Sequence, residues 1–172
     1  MTTKQKTSAR TRAARGAHAR TVPAAPRPAS MSAEAKAASR ALEGPVVALF
    51  NEQRAAHRHA PLKADAALRE VAALHSADML AHGYFAHDDA HGSWSGRIQR
   101  RVARREVGEI LSYGSGEYAT PAGLVKAWMQ SAEHRRVILT PELRRVGLGV
   151  ATGTYEGATG VSLVTVDFAT AT

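Results

Sequence analysis

The chain has no cysteine. That absence excludes disulfide frameworks, thiolate zinc sites and cysteine nucleophiles. It leaves the compartment open. No apolar run reaches the roughly 18 residues that span a bilayer, so no transmembrane segment is expected. The first 30 residues contain no acid but carry Lys4, Lys6, Arg10, Arg12, Arg15, Arg20 and Arg27. Those are seven of the 23 basic residues, and the other 16 stand against all 15 acids. The net charge of +8 therefore belongs to the tail, and the remainder is nearly neutral. No apolar core follows this basic stretch, so no secretory leader is visible. A serine-nucleophile elbow of the Gly-x-Ser-x-Gly type is also missing.

What is present suffices for one domain plus an appendage. Hydrophobic residues make up 44% of the 172, enough to build a core. Residues 1–32, rich in Ala, Arg and Pro, have too little apolar surface to offset ordering entropy and read as a disordered tail. Residues 33–44 read as a short helix or linker, broken at Gly44-Pro45. The domain proper is expected over 45–170. Pro45 suits the first turn of a helix that carries Val46, Val47, Leu49 and Phe50 and ends near His57.

Asp65 is placed to cap a helix reaching about His82, with Leu68, Val71, Ala72, His75 and Met79 on one face and Gly83 as its stop. His75, on that apolar face, is expected to be buried with one hydrogen-bond partner. Residues 88–95 form a polar loop. A helix over 95–105 turns Ile98 and Val102 inward. Its Arg100, Arg101, Arg104 and Arg105 read as a solvated face, with an anion-binding patch as the alternative. Residues 107–113 suggest a short strand. Thr120-Pro121 opens a helix with Leu124, Val125, Trp128 and Met129 at its core face. A helical turn follows over 134–139. Strands are expected over 146–151 and 161–168, joined by a glycine-rich hairpin loop at 153–160. Helices first and a hairpin last predict an α+β fold, its sheet covered by helices.

The order of these pieces resembles the CAP superfamily (cysteine-rich secretory, antigen 5 and pathogenesis-related proteins), and more closely its bacterial SCP-like branch. The residues that carry the resemblance are Leu49-Phe50-Asn51-Glu52-Gln53-Arg54, Leu74-His75-Ser76-Ala77-Asp78-Met79 and Phe85-Ala86-His87. They continue with Gly108-Glu109-Ile110, Ala127-Trp128-Met129, Ser131-Ala132-Glu133-His134-Arg135, Val146-Gly147-Leu148-Gly149 and Asp167-Phe168-Ala169. The resemblance implies an α-β-α sandwich with a small, mostly antiparallel sheet. It also implies a cleft holding His87, His134 and Glu109. This chain departs from the pattern at Ile110, where an asparagine is usual. It departs again at Glu133, where a glycine is usual, and near Ser131, where some members have a second acid. Glu133 is the candidate to replace that acid.

Two imidazoles and a carboxylate make three ligands, the number of a zinc-type centre with one open position. Such a centre polarises a carbonyl or activates water. Without metal, the same trio suits modest acid–base work or a purely structural tie. Asp89 and His91, at the cleft rim, are candidates to extend a metal site at His87. No cofactor is required, and zinc or another divalent cation is the candidate. No catalytic residue is assigned beyond the candidates His87, Glu109 and His134. The leading expectation is a secreted or envelope-associated interaction module, monomeric, that binds a metal ion, lipid or small ligand. The basic tail offers contact with an anionic envelope surface. One alternative is a metal-dependent hydrolase using the same cleft. The other is a cytoplasmic polyanion-binding protein acting through the tail, a reading weakened by the tail's lack of aromatics.

Overall fold

A computed structural model describes residues 6–11, 32–104 and 106–171. Five strands form one sheet: β1 (Lys6–Thr11), β2 (Lys63–Ala64), β3 (Val107–Gly114), β4 (Leu143–Tyr155) and β5 (Ala158–Thr170). Their order across the sheet is β1-β3-β5-β4-β2. All pairings are antiparallel except β2 with β4. The helices are α1 (Ala33–Ala56), α2 (Ala66–His82), α3 (Trp94–Val102), α4 (Pro121–Gln130) and α5 (Ala132–Ile138). One face of the sheet packs through Ile110, Leu148, Val166 and Phe168 on α1, α4 and α5. The other packs on α2 and α3 through Val107, Leu111, Leu163 and Ala169. The expected α-β-α sandwich is thus present.

Local signals set most boundaries. Asp65 accepts from the N–H groups of Ala67 and Leu68, and Gly83 ends α2 in the left-handed conformation (φ 65°). Thr120 caps α4, and Pro121 occupies its first turn. Three expectations change. The break at Gly44-Pro45 does not occur, because α1 runs unbroken with Pro45 inside it. An interior proline forfeits one helical hydrogen bond. Contacts on either side hold the helix together nonetheless. Ser39 Oγ accepts from the N–H of Val150 (3.2 Å), and Glu43 Oε1 accepts from that of Leu148 (3.1 Å). Residues 33–44 are therefore part of the domain and cover the edge of β4.

The hairpin is also longer than expected. Both strands run 13 residues and meet at Glu156-Gly157, where φ is 49° and 80°. Two successive positive φ values match the twist of the flanking strands, so the loop shrinks to a tight turn. Finally, Lys6–Thr11, within the segment read as a disordered tail, pairs with β3 as an edge strand. Backbone pairing needs no apolar side chains, so composition gave no sign of it. The rest of that tail lies outside the described residues.

Arg54 locks one end of the sandwich. Its guanidinium is buried and donates to four backbone carbonyls: Ala60 (2.8 Å), Ile138 (2.7 Å), Thr140 (3.0 Å) and Leu143 (3.1 Å). Helix α2 meets β4 backbone to backbone. A Cβ at Gly149 would lie 2.0 Å from Ala73 N, and one at Gly147 would lie 2.1 Å from Arg69 N. Neither neighbour is a side chain that could turn aside. Gly149→Ala is expected to cost about 3 kcal/mol or more, since overpacking here must move a helix. Urea unfolding of the variant beside wild type checks this, and an unchanged midpoint would contradict it.

Candidate functional site

Strand β3 alternates between the two faces. Gly108 and Ile110 turn toward α1, α4 and α5, while Val107, Glu109 and Leu111 turn toward α2 and α3. Glu109 is thereby carried into the interior, with no exposed surface. Its opposite number on β5 is Asp167, equally buried. Helix α3, capped by Ser93, brings Arg97 over this pair. Arg97 binds Glu109 Oε2, and its Nη1 donates to Asp89 Oδ2 and to the His87 carbonyl, each at 3.1 Å. His87 Nδ1 meets Glu109 Oε1 at 2.7 Å. The loop between α2 and α3 is held by Asp88, which accepts from the N–H of Trp94 (3.0 Å).

His87 and Glu109 are therefore brought together as the sequence suggested. His134 comes from the other layer. It is buried on α5, and that helix packs Val137 against the Gly108 side of the sheet. Its backbone N–H donates to Ser131 Oγ, the cap of the helix, at 3.5 Å. Glu133 is exposed on the same helix. Ile110 packs in the core of the face opposite Glu109, which accounts for an apolar residue there. Asp89 joins the cluster through Arg97, whereas His91 is exposed on the rim, its backbone N–H donating to Asp89 Oδ1 (2.8 Å). His75 is buried and meets its expectation, with Nε2 at 2.9 Å from the Ala86 carbonyl.

Sequence reasoning missed Arg97 and Asp167. Each left a faint signal. Arg97 lies on the buried stripe of α3 with Trp94 and Ile98, at spacings of three and four residues. Asp167 is the one acid in an otherwise apolar and hydroxyl-bearing strand, Val161-Ser162-Leu163-Val164-Thr165-Val166-Asp167-Phe168.

The electrostatics divide the two carboxyls. Burial alone works to raise Glu109, but Arg97 and the His87 hydrogen bond overcome it and keep Glu109 ionised well below the usual range. Asp167 is raised well above its ordinary value, by burial and then by the negative charge of Glu109. Neither oxygen of Asp167 receives a donor from the described residues. A proton held on Asp167 turns it into a donor toward Glu109, so one proton serves the pair. His75 is lowered to about 4, by burial and then by Arg97, and stays neutral.

This chemistry bears on metal binding. Both oxygens of Glu109 are engaged, one by His87 and one by Arg97. Among the described residues, no group of three His, Asp or Glu could hold a metal ion. A cation using Glu109 would share a carboxylate that already accepts from His87 and Arg97. The arrangement is that of a buried ion-pair tie fastening α3 and the loop before it to β3.

A family model for the cysteine-rich secretory proteins (CAP) matches residues 47–168. The chain is 34% identical over 111 residues to the uncharacterized protein YkwD of Bacillus subtilis, covering 63% of this chain and 42% of that protein. It is 32% identical over 110 residues to the uncharacterized membrane protein YlbC of the same organism, covering 63% and 31%. The match thus spans less than half the length of either relative. An extracellular protein containing a SCP domain from Bacillus anthracis superposes with a TM-score of 0.63 at 26% identity, over 82% of this chain and 44% of that one. An outer surface protein from Borrelia burgdorferi gives 0.67 at 16% identity, over 78% and 96%, a likeness of fold alone.

Two pH effects follow from the buried groups. The native state keeps a proton on Asp167 above the ordinary value of 3.8, where the unfolded chain releases it, so this group lowers stability as pH rises. Asp167→Asn removes the titration and retains a donor. Its melting temperature relative to wild type is expected to rise as pH increases above about 4. A constant difference in a thermal-melt series would contradict this. His75 acts in the opposite direction. Between 6.5 and about 4 the unfolded chain takes up a proton that the native state refuses, so stability is lost on acidification. The loss is expected to approach roughly 3 kcal/mol across that window. His75→Gln should flatten the acid limb of the same series.

Proposed function

Because this chain belongs to the cysteine-rich secretory protein (CAP) family, we propose that it is a binding module acting outside the cytoplasm, at the cell exterior or envelope. Its task is to hold a small ligand or lipid and not to transform it. The observation that supports this reading most directly is the engagement of Glu109. Its two oxygens accept from His87 and Arg97, and its cross-strand neighbour Asp167 has its pKa raised by burial and by Glu109 itself. A carboxylate held in this way, with no exposed surface, stabilises geometry and lies out of reach of a substrate proton. The extracellular SCP-domain protein of Bacillus anthracis supports the location. Among the described residues no helix is long and apolar enough to cross a membrane.

Among the described residues no three His, Asp or Glu side chains come together as a metal site, which speaks against a hydrolytic zinc centre, since three ligands and an open position are needed. Zinc titration by calorimetry and zinc-dependent hydrolysis of p-nitrophenyl esters test the reading. Wild type and His87→Ala are expected to give the same weak heats and the same background hydrolysis. Zinc-dependent hydrolysis in wild type that His87→Ala loses with its circular dichroism intact would replace the binding module by a metallohydrolase.

A further inference from the structure

Strand β3 carries Glu109, and β1 alone keeps it from being the edge of the sheet. With β1 in place, seven of the eight residues of β3 are buried and Tyr113 is half-buried. Removing β1 would open a row of unpaired N–H and C=O groups along β3. Such a row is the template on which a further strand adds.

Three features set β1 apart from the other strands. Its sequence, Lys6-Thr7-Ser8-Ala9-Arg10-Thr11, has no large apolar side chain, whereas β3, β4 and β5 each send several into the core. What such a segment offers is main-chain pairing, here from Lys6 opposite Tyr113 to Thr11 opposite Gly108. Its link to the domain is long. Residues 12–31 stand between it and Ser32, the cap of α1. A stretch of that length can span roughly 60 Å, against about 15 Å across the sheet from β1 to β4. Release of β1 therefore does not pull on α1. Its position also matters. Arg10 lies opposite Glu109 in the pairing, and α5, the helix of the buried His134, packs against β1. One short polar segment thus runs along the strand of Glu109 and against the helix of His134.

Backbone pairing asks little of the side chains beyond fit to the pleat, so another extended segment running antiparallel here gains the same hydrogen bonds. A strand tethered to its own domain has an effective concentration in the millimolar range. That is enough to occupy the edge at low intrinsic affinity, and low enough for a better partner to displace it.

We propose that the outer edge of β3 is a strand-addition site for an extended segment of a partner protein, filled in the free chain by residues 6–11 as a tethered stand-in. The partner segment runs antiparallel to β3 and offers small or hydroxyl-bearing residues, as at Thr7, Ser8 and Ala9. This site is distinct from a small-ligand or lipid site and does not rest on that reading.

The test uses the full chain and a fluorescein-labelled peptide of residues 4–13, read by fluorescence polarisation at physiological salt. Binding to wild type is expected to be weak, because the tethered strand competes. Ser8→Pro combined with Ala9→Pro empties the edge. Successive strand residues point their N–H groups to opposite sides, so one of the two prolines must remove a donor to β3. The Arg54 lock and both helical layers lie elsewhere, so native circular dichroism is expected. The double variant is expected to bind the peptide about tenfold more tightly than wild type. Two N-methylated peptides then separate pairing from charge. Methyl groups on Thr7, Ala9 and Thr11 block one side of the strand, and those on Lys6, Ser8 and Arg10 block the other. One peptide is expected to lose binding and the other to keep it. Amide hydrogen exchange of wild type needs no variant. The β3 amides turned toward β1 should exchange at least about tenfold faster than those of Val164 and Val166 in β5. Equal binding by wild type and the double variant, equal binding of the two methylated peptides, or β3 amides protected like those of β5 would each overturn the proposal. A strand-exchanged dimer in size-exclusion chromatography would also overturn it, since a second copy would then be the occupant.

Discussion

Helix α2 lies on β4 with no side chain between them, and the layer spacing of the domain follows from that contact. Gly147 and Gly149 leave the strand bare where Leu68, Arg69, Ala72 and Ala73 pass over it. This closeness lets Ser76 Oγ reach the Gly149 carbonyl (3.1 Å) and Thr165 Oγ1 (2.9 Å). It sinks Leu68 and Met79 into the interior. It also fixes the start of the loop that leaves α2, where His75 meets the Ala86 carbonyl and Tyr84 donates to Asp78. His87 inherits its position from that loop. A side chain at either glycine would lift the helix, and the polar centre would lose one wall.

Polar groups close the structure where apolar packing leaves off. Arg54 gathers four carbonyls at one end, and Ser39 and Glu43 satisfy N–H groups on the outer edge of β4. Arg97, Glu109, Asp89 and His87 fasten α3 to the sheet. A buried charge is costly unless paired and hydrogen-bonded, so such clusters tolerate few alternatives. Burial and the charge of Glu109 raise the pKa of Asp167, which makes the tie sensitive to pH from within.

Much of the fold is legible in the sequence. The caps Asp65 and Thr120, the stop at Gly83 and the apolar face of α2 rest on chemistry within a few residues of chain. Elements that depend on distant contacts are harder to read. Pro45 reads as a break because the sequence does not display the edge of β4 that α1 covers. Lys6–Thr11 reads as disordered because a strand held by backbone pairing carries no compositional mark. The candidate site is half legible. His87 and Glu109 meet, but His134 belongs to α5, which packs on the face of the sheet opposite Glu109. Arg97, which belongs to no motif that singles it out, occupies the centre.

The sequence by itself determined the family, the kinds of element and their order, since these rest on local propensity, periodicity and capping. It also determined which titratable residues the domain would have to accommodate. Only the tertiary structure decided how those residues are used. The alternation of β3 sends Glu109 and Ile110 to opposite faces, and pairing with β5 sets Asp167 beside Glu109. The entry of α3 places Arg97 over them. Charge, burial and hydrogen-bond partners depend on distances between residues far apart in the chain, and those distances exist only once the layers have closed.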